Sequence, residues 1–251
     1  MSHSIFFIVK LILYYFAYQL GFYAIALGFM FFIKPMNMVT ALSLSMVAST
    51  LAMSWHLIHF DYVSIARDRY KEVSLPTLGV SVVFIFAAMY VLNLLIEQIG
   101  LPNTMESTFL AMSRNPFGVL SIALLAPVLE ELLFRGAIQG YLQAAGKKPW
   151  TAIAVSSLIF GVVHMNPAQI PFAFLLGMMF GWLYYRTESL LPGIIGHVLN
   201  NSVAAITMIC YGDSTIEEQM NSSMKMWLWA VVATITFVLA MGWLDKHLKK
   251  Q

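Results

Sequence analysis

Long apolar stretches broken by short polar and charged punctuation run the length of the chain. Read for helical periodicity and spanning length, they predict about eight helices, over 11–33, 38–59, 76–99, 116–143, 150–165, 168–185, 190–210 and 225–244. The fifth is short for a full crossing, which takes about 20 residues. Lys10 interrupts the first run, and no small-residue cleavage site follows a short hydrophobic core. That run therefore reads as a retained membrane helix and not as a signal peptide. No internal repeat or low-complexity tract divides the sequence. The prediction is an all-α fold: a polytopic membrane helix bundle, one integral membrane domain over 1–251.

Loop charges orient this bundle. Arg67, Arg69 and Lys71 lie between the second and third helices, Lys147 and Lys148 follow the fourth, and Arg186 follows the sixth. Lys246, Lys249 and Lys250 form the tail, whereas Asp213, Glu217 and Glu218 fall on the other side. Lys34 and Arg114 run weakly against the pattern. Basic loops favour the cytoplasmic face, so both termini are predicted to be cytoplasmic. Gly136 and Gly140, like Gly177 and Gly181, recur at four-residue spacing and predict close helix contacts within the bundle.

Composition agrees with lipid as the solvent. Hydrophobic residues make up 60% of the chain and charged residues 10%, and the mean hydropathy is +0.77. Soluble domains carry about 25% charged residues. A net charge of +2 is too small to imply nucleic acid as a partner. The one cysteine, Cys210, cannot form an internal disulfide, so packing alone holds the fold.

Against this background a few polar residues stand out. The fourth helix contains Pro127-Val-Leu-Glu130-Glu131-Leu-Leu-Phe-Arg135-Gly136. Each ionisable group in a span costs about 2.5 kcal/mol or more, and such groups usually face the bundle interior and mark function. Glu131 and Arg135 share a helix face and can pair, while Glu130 points about 100° away and is free to take up a proton. A structural salt bridge alone would explain one Glu–Arg pair. Two imidazoles weigh against that simpler account. Phe160 and His164 share a face of the fifth helix, and His197 and Asn201 share a face of the seventh. Counting inward at about 1.5 Å per residue puts Glu130 and His164 roughly 20 Å deep and His197 about 10–16 Å deep.

The stretches Glu130-Glu131-Leu-Leu-Phe-Arg135, Phe160-Gly-Val-Val-His164 and His197-Val-Leu-Asn200-Asn201 resemble the three motifs of the CPBP family. That family groups the CAAX prenyl endopeptidases with bacteriocin-processing and abortive-infection-type membrane proteins. The run Gly181–His197 also reads like the family's lead into its last motif. The resemblance covers roughly 116–205, the expected peptidase core; residues 1–110 carry no signature beyond hydrophobicity. It implies glutamate-type proteolysis, in which Glu130 assisted by His164 activates water and His197 and Asn201 stabilise the oxyanion. Glu131, Arg135 and Phe160 would be supports.

No cofactor is expected on this reading. The rival within the family is a single zinc ion held by Glu130, His164 and His197 with water in the fourth position. No His-Glu-x-x-His motif is present, and the Asn201 amide suits hydrogen bonding better than zinc. No Gly-x-Ser-x-Gly elbow supports serine chemistry, and Cys210 is far along its helix from His197. From other classes, a catalytically idle immunity or scaffold protein and a proton-relay transporter remain open. A transporter would predict broken helices or a repeated half. The expected partners are the lipid bilayer and a membrane-associated peptide or protein: a leader, pheromone or bacteriocin precursor, or a prenylated CAAX-type substrate. The expected location is the bacterial cytoplasmic membrane.

Overall fold

The computed structural model describes residues 2–30, 36–63, 73–212 and 214–248. Arg67, Arg69, Lys71, Lys249, Lys250, Lys34 and Asp213, used above to orient the bundle, lie outside the described residues, as does the predicted end of the first helix. The predicted helices all appear: α1 (Ser2–Met30), α2 (Met38–His59), α3 (Leu75–Ile99), α5 (Pro116–Ala144), α6 (Pro149–Val162), α7 (Gln169–Thr187), α8 (Leu191–Tyr211) and α10 (Ser223–His247). Two short helices that the pattern did not predict, α4 (Glu106–Ser113) and α9 (Ile216–Met220), lie between them. The protein is a polytopic helical membrane bundle. Among the described residues, 6 helices are long and apolar enough to cross a membrane: α1, α2, α3, α5, α8 and α10. Of the rest, α6 has only 14 residues and spans about 21 Å against a hydrocarbon core of about 30 Å. Helix α7 has 19 residues but carries Gln169, Arg186 and Thr187 at its ends.

Local chemistry sets the boundaries. Asn37, Ser74 and Ser222 cap α2, α3 and α10 by accepting from the backbone N–H three residues on. Pro76, Pro149 and Pro192 occupy first turns, where no N–H is needed. Helix α1 begins well before the predicted residue 11. Lys10 does not break it, because its ammonium lies 5.0 Å from the centre of the Tyr62 ring and 5.8 Å from that of Tyr14.

Helix α5 is the centre of the bundle. Half of its most apolar window is buried (50%), against 6% for α1, whose flanks are left for lipid. One buried cluster joins Leu129, Leu133 and Phe134 of α5 to Phe160 of α6 and to α1 and α2. A second joins Phe84 of α3, Phe180 of α7 and Leu244 of α10. Arg186 at the end of α7 pairs with Asp245 and donates to the Leu248 carbonyl, so the ends of α7 and α10 sit side by side.

The Gly177–Gly181 pair does what its spacing predicts. A Cβ on Gly177 would lie 3.0 Å from Arg135 Nη2, and one on Gly181 would lie 2.8 Å from Gln139 Oε1, so α7 approaches α5 where it has no side chain. The tightest helix approach is elsewhere: a Cβ on Gly196 of α8 would come within 2.1 Å of Ile85 Cδ1 on α3. Gly196→Ala is therefore expected to destabilise the bundle by about 1–3 kcal/mol, seen as a lower melting temperature in detergent. Adding Ile85→Val, which removes that Cδ1, should recover part of the loss. Identical melting of parent and Gly196→Ala would contradict the close approach.

Candidate active site

Helix α5 is not a regular α-helix. Leu120–Leu125 and Glu131–Gln139 are π-helical, flanking the α-helical turn Ala126–Glu130. Pro127 explains the first wide stretch. Its ring clashes with the carbonyl four residues back and it offers no N–H, so the ladder slips by one residue and the Ala126 N–H bonds to Ser121 O. The second stretch begins at Glu131 and is buried along its whole length. Wide turns of this kind recur at functional sites.

Glu131 and Arg135, each 1% exposed, form the predicted ion pair at 3.0 Å. Arg135 also donates to Gly177 O at 3.2 Å, and its guanidinium lies 4.4 Å from the Phe160 ring centre and 5.3 Å from that of Phe180. Desolvating two charges costs several kcal/mol each, and only good mutual geometry with further hydrogen bonds offsets it. Here those partners come from α6 and α7, so the ion pair also joins three helices.

The same carboxylate oxygen reaches α8: His197 Nδ1 lies 2.9 Å from Glu131 Oε1. On the other side of the ring, His197 Nε2 lies 3.5 Å from Glu130 Oε2. The two adjacent carboxylates therefore face opposite edges of one imidazole. A carboxylate paired with Arg135 can only accept, so Nδ1 carries the hydrogen and Nε2 is turned toward Glu130. Phe180 stacks on this ring at 4.9 Å between centres, and Phe160 meets it edge-on at 5.7 Å. The second oxygen of Glu131 lies against Gly193, where a Cβ would come within 2.9 Å.

Exposure separates the two acids. The Glu130 side chain is 14% exposed and that of Glu131 is 1% exposed, so Glu130 is the one that can meet water. His164 lies beyond the end of α6, with Nδ1 2.7 Å from Phe160 O. A carbonyl only accepts, so this ring also holds its hydrogen on Nδ1 and presents Nε2. His164 and His197 both meet Phe160 edge-on, at 5.0 Å and 5.7 Å, and Phe160 forms the wall between them. Asn201, one turn beyond His197, donates from Nδ2 to Ile122 O at 2.9 Å and accepts from Asn200 at 2.8 Å.

Some contributors carried no sequence signal. Phe180 is one aromatic among many on α7, and Gly177 acts through a backbone carbonyl. Gly193 could have been suspected from its place four residues before His197 on the same face. The direct link from Glu131 to His197 was also missed, because the two lie 66 residues apart. For a metal, Glu130 and His197 approach each other. Among the described residues, however, no group of three or more His, Cys, Asp and Glu side chains is placed to hold an ion. Glu130, His164 and His197 are thus not assembled as a zinc ligand set among these residues.

Fold and site together define a helical membrane protein with a carboxylate–imidazole–guanidinium cluster inside its bundle. Residues 113–203, which include every site residue named above, match the family described as type II CAAX prenyl endopeptidase Rce1-like. That segment is similar to this family, as the resemblance of its three motifs implied. It is 34% identical over 110 residues to the membrane-embedded CAAX protease MroQ of Staphylococcus aureus (strain USA300), covering 42% of this chain and 44% of that one. It is 28% identical over 104 residues to the candidate membrane peptidase YdiL of Bacillus subtilis (strain 168), covering 41% and 42%. The chain thus spans under half the length of the relatives it matches. No solved structure matches it.

Removing one partner of the buried pair tests its role. Arg135→Met leaves Glu131 without its counter-charge and should cost about 3–5 kcal/mol, read as poor accumulation in membranes and early melting in detergent. Glu131→Gln together with Arg135→Met should be milder. A double variant as damaged as the single one would mean that charge balance is not what the pair provides.

Proposed function

We propose that this chain is an intramembrane endopeptidase that hydrolyses a peptide bond of a membrane-associated substrate with water activated by Glu130. The observation that carries the reading is the His197 ring clasped between Glu131 and Glu130, with Glu130 the more exposed acid. In the proposed reaction Glu130 takes a proton from water while the water oxygen attacks the peptide carbonyl, and that proton then passes to the departing amine. His164 assists by offering Nε2 to the same water. His197 and Asn201 receive the charge that builds on the carbonyl oxygen. To donate from Nε2, His197 has to be an imidazolium, and Glu131 on Nδ1 offsets that charge. One amide hydrogen of Asn201 is engaged by Ile122 O, which leaves the other for the oxyanion. Arg135 and Phe160 hold Glu131 and the two imidazoles in place.

The substrate would be a leader, pheromone or bacteriocin precursor, or a prenylated CAAX-type protein; the last is suggested by the name of the staphylococcal relative. Both relatives come from bacteria, which supports placement in the bacterial cytoplasmic membrane. A catalytically idle scaffold is the reading to be eliminated. Glu130→Gln keeps the shape of the side chain and removes the base. Peptide cleavage by the purified variant is expected to fall by about 10²–10⁴-fold with normal accumulation in the membrane. Cleavage at the parental rate would overturn the assignment.

The proposed chemistry uses no metal. Incubation with 1,10-phenanthroline is expected to leave the cleavage rate within about twofold, because there is no ion for it to strip. Loss of activity restored by added zinc would establish the rival mechanism.

A further inference from the structure

The place of Asn201 has a cause in the backbone of α5, and its consequence for activity rests on the peptidase reading. In the first wide stretch of α5 the Ala126 N–H is used by Ser121 O. The next carbonyl in that register, Ile122 O, would need the N–H of residue 127, and residue 127 is proline. Neither the α-type nor the π-type bond is then available to Ile122 O. Inside a bilayer an unpartnered backbone carbonyl is expensive, since no solvent replaces the lost donor. The Asn201 amide supplies that donor from α8, at 2.9 Å. Its other end is held by Asn200, which is 6% exposed and donates to Asn201 Oδ1 at 2.8 Å.

We infer that Pro127 and Asn201 are a matched pair: the carboxamide replaces the hydrogen-bond donor that the proline removes. The bond ties α8 to α5 one turn from His197 and about two turns ahead of Glu130 and Glu131. It sets the helix separation at which the imidazole fits between the two carboxylates. On this account Asn201 is a positioning residue, whatever its second amide hydrogen does for the oxyanion.

Restoring the missing N–H tests the pairing. Asn201→Ala leaves Ile122 O without a partner and should lower kcat by about tenfold or more with KM little changed. Pro127→Ala should stay near the parental rate. In the double variant the new N–H at position 127 can serve Ile122 O, so the effects should not multiply. The melting temperature in detergent should return close to that of Pro127→Ala, while kcat should rise above that of Asn201→Ala but recover only in part, because the oxyanion donor is still missing. A double variant that is no more active and no more stable than Asn201→Ala would overturn the inference and leave the oxyanion as the sole use of the amide. Melting is read without substrate, so the outcomes separate. Recovery of melting in a protein that cleaves nothing would sink the peptidase reading alone. Cleavage by the parent with no recovery in either measurement would sink the matched pair alone.

Discussion

A buried charge has to meet its counter-charge and its hydrogen-bond partners inside the bundle, because lipid supplies neither. The Glu131–Arg135 pair is where this requirement is most severe, with both side chains 1% exposed. Each partner meets it by reaching to another helix. Arg135 reaches Gly177 O on α7 and lies over Phe160 of α6, and Glu131 reaches His197 on α8. Four helices are thereby located around one ion pair. The close contacts at Gly177 and Gly193 follow from the same demand, since any side chain there would fall on the guanidinium or the carboxylate. The site is in this sense a consequence of how the bundle neutralises its own interior.

The shape of α5 follows from a second shortage, of backbone donors. Pro127 withholds an N–H, the ladder slips, and the chain emerges with Glu130 and Glu131 at a junction between an α-helical turn and a wide one. Adjacent residues on a regular helix point about 100° apart, and on that basis Glu130 was not expected to share the surroundings of Glu131. The two do diverge, yet they meet opposite edges of one imidazole. Divergence at the backbone becomes convergence once a ring of suitable size stands between them.

Much of this was legible in the sequence, and the limits have physical causes. The helices were visible because apolar runs of spanning length have few other interpretations. The Glu131–Arg135 pair was visible because spacing four on a helix is local geometry. His164, His197 and Asn201 could be picked out as polar residues in apolar spans, but not placed relative to one another. Depth counting set His197 roughly 4–10 Å shallower than Glu130 at 1.5 Å per residue, whereas the two approach to 3.5 Å. The count assumed regular α-helix, and the nine residues Glu131–Gln139 between Glu130 and the basic end are π-helical, advancing less per residue. Asn201 shows the same limit: its bond to Ile122 O depends on which carbonyl Pro127 leaves unpaired. The short helices α4 and α9 escaped notice because neither carries a long apolar run.

The difference between the two carboxylates supports the proposed choice of Glu130 as the base. Glu131 Oε1 meets both Arg135 and His197, while its Oε2 is buried against the bare backbone at Gly193 with no hydrogen-bond partner. Replacing that carboxylate by a neutral group would leave Arg135 unbalanced in a medium that cannot compensate it. Glu130 has one loose neighbour, the far nitrogen of His197, and more than ten times the exposure of Glu131. In the proposed reaction the proton moves at Glu130, outside the Glu131–Arg135 pair on which the bundle's interior depends.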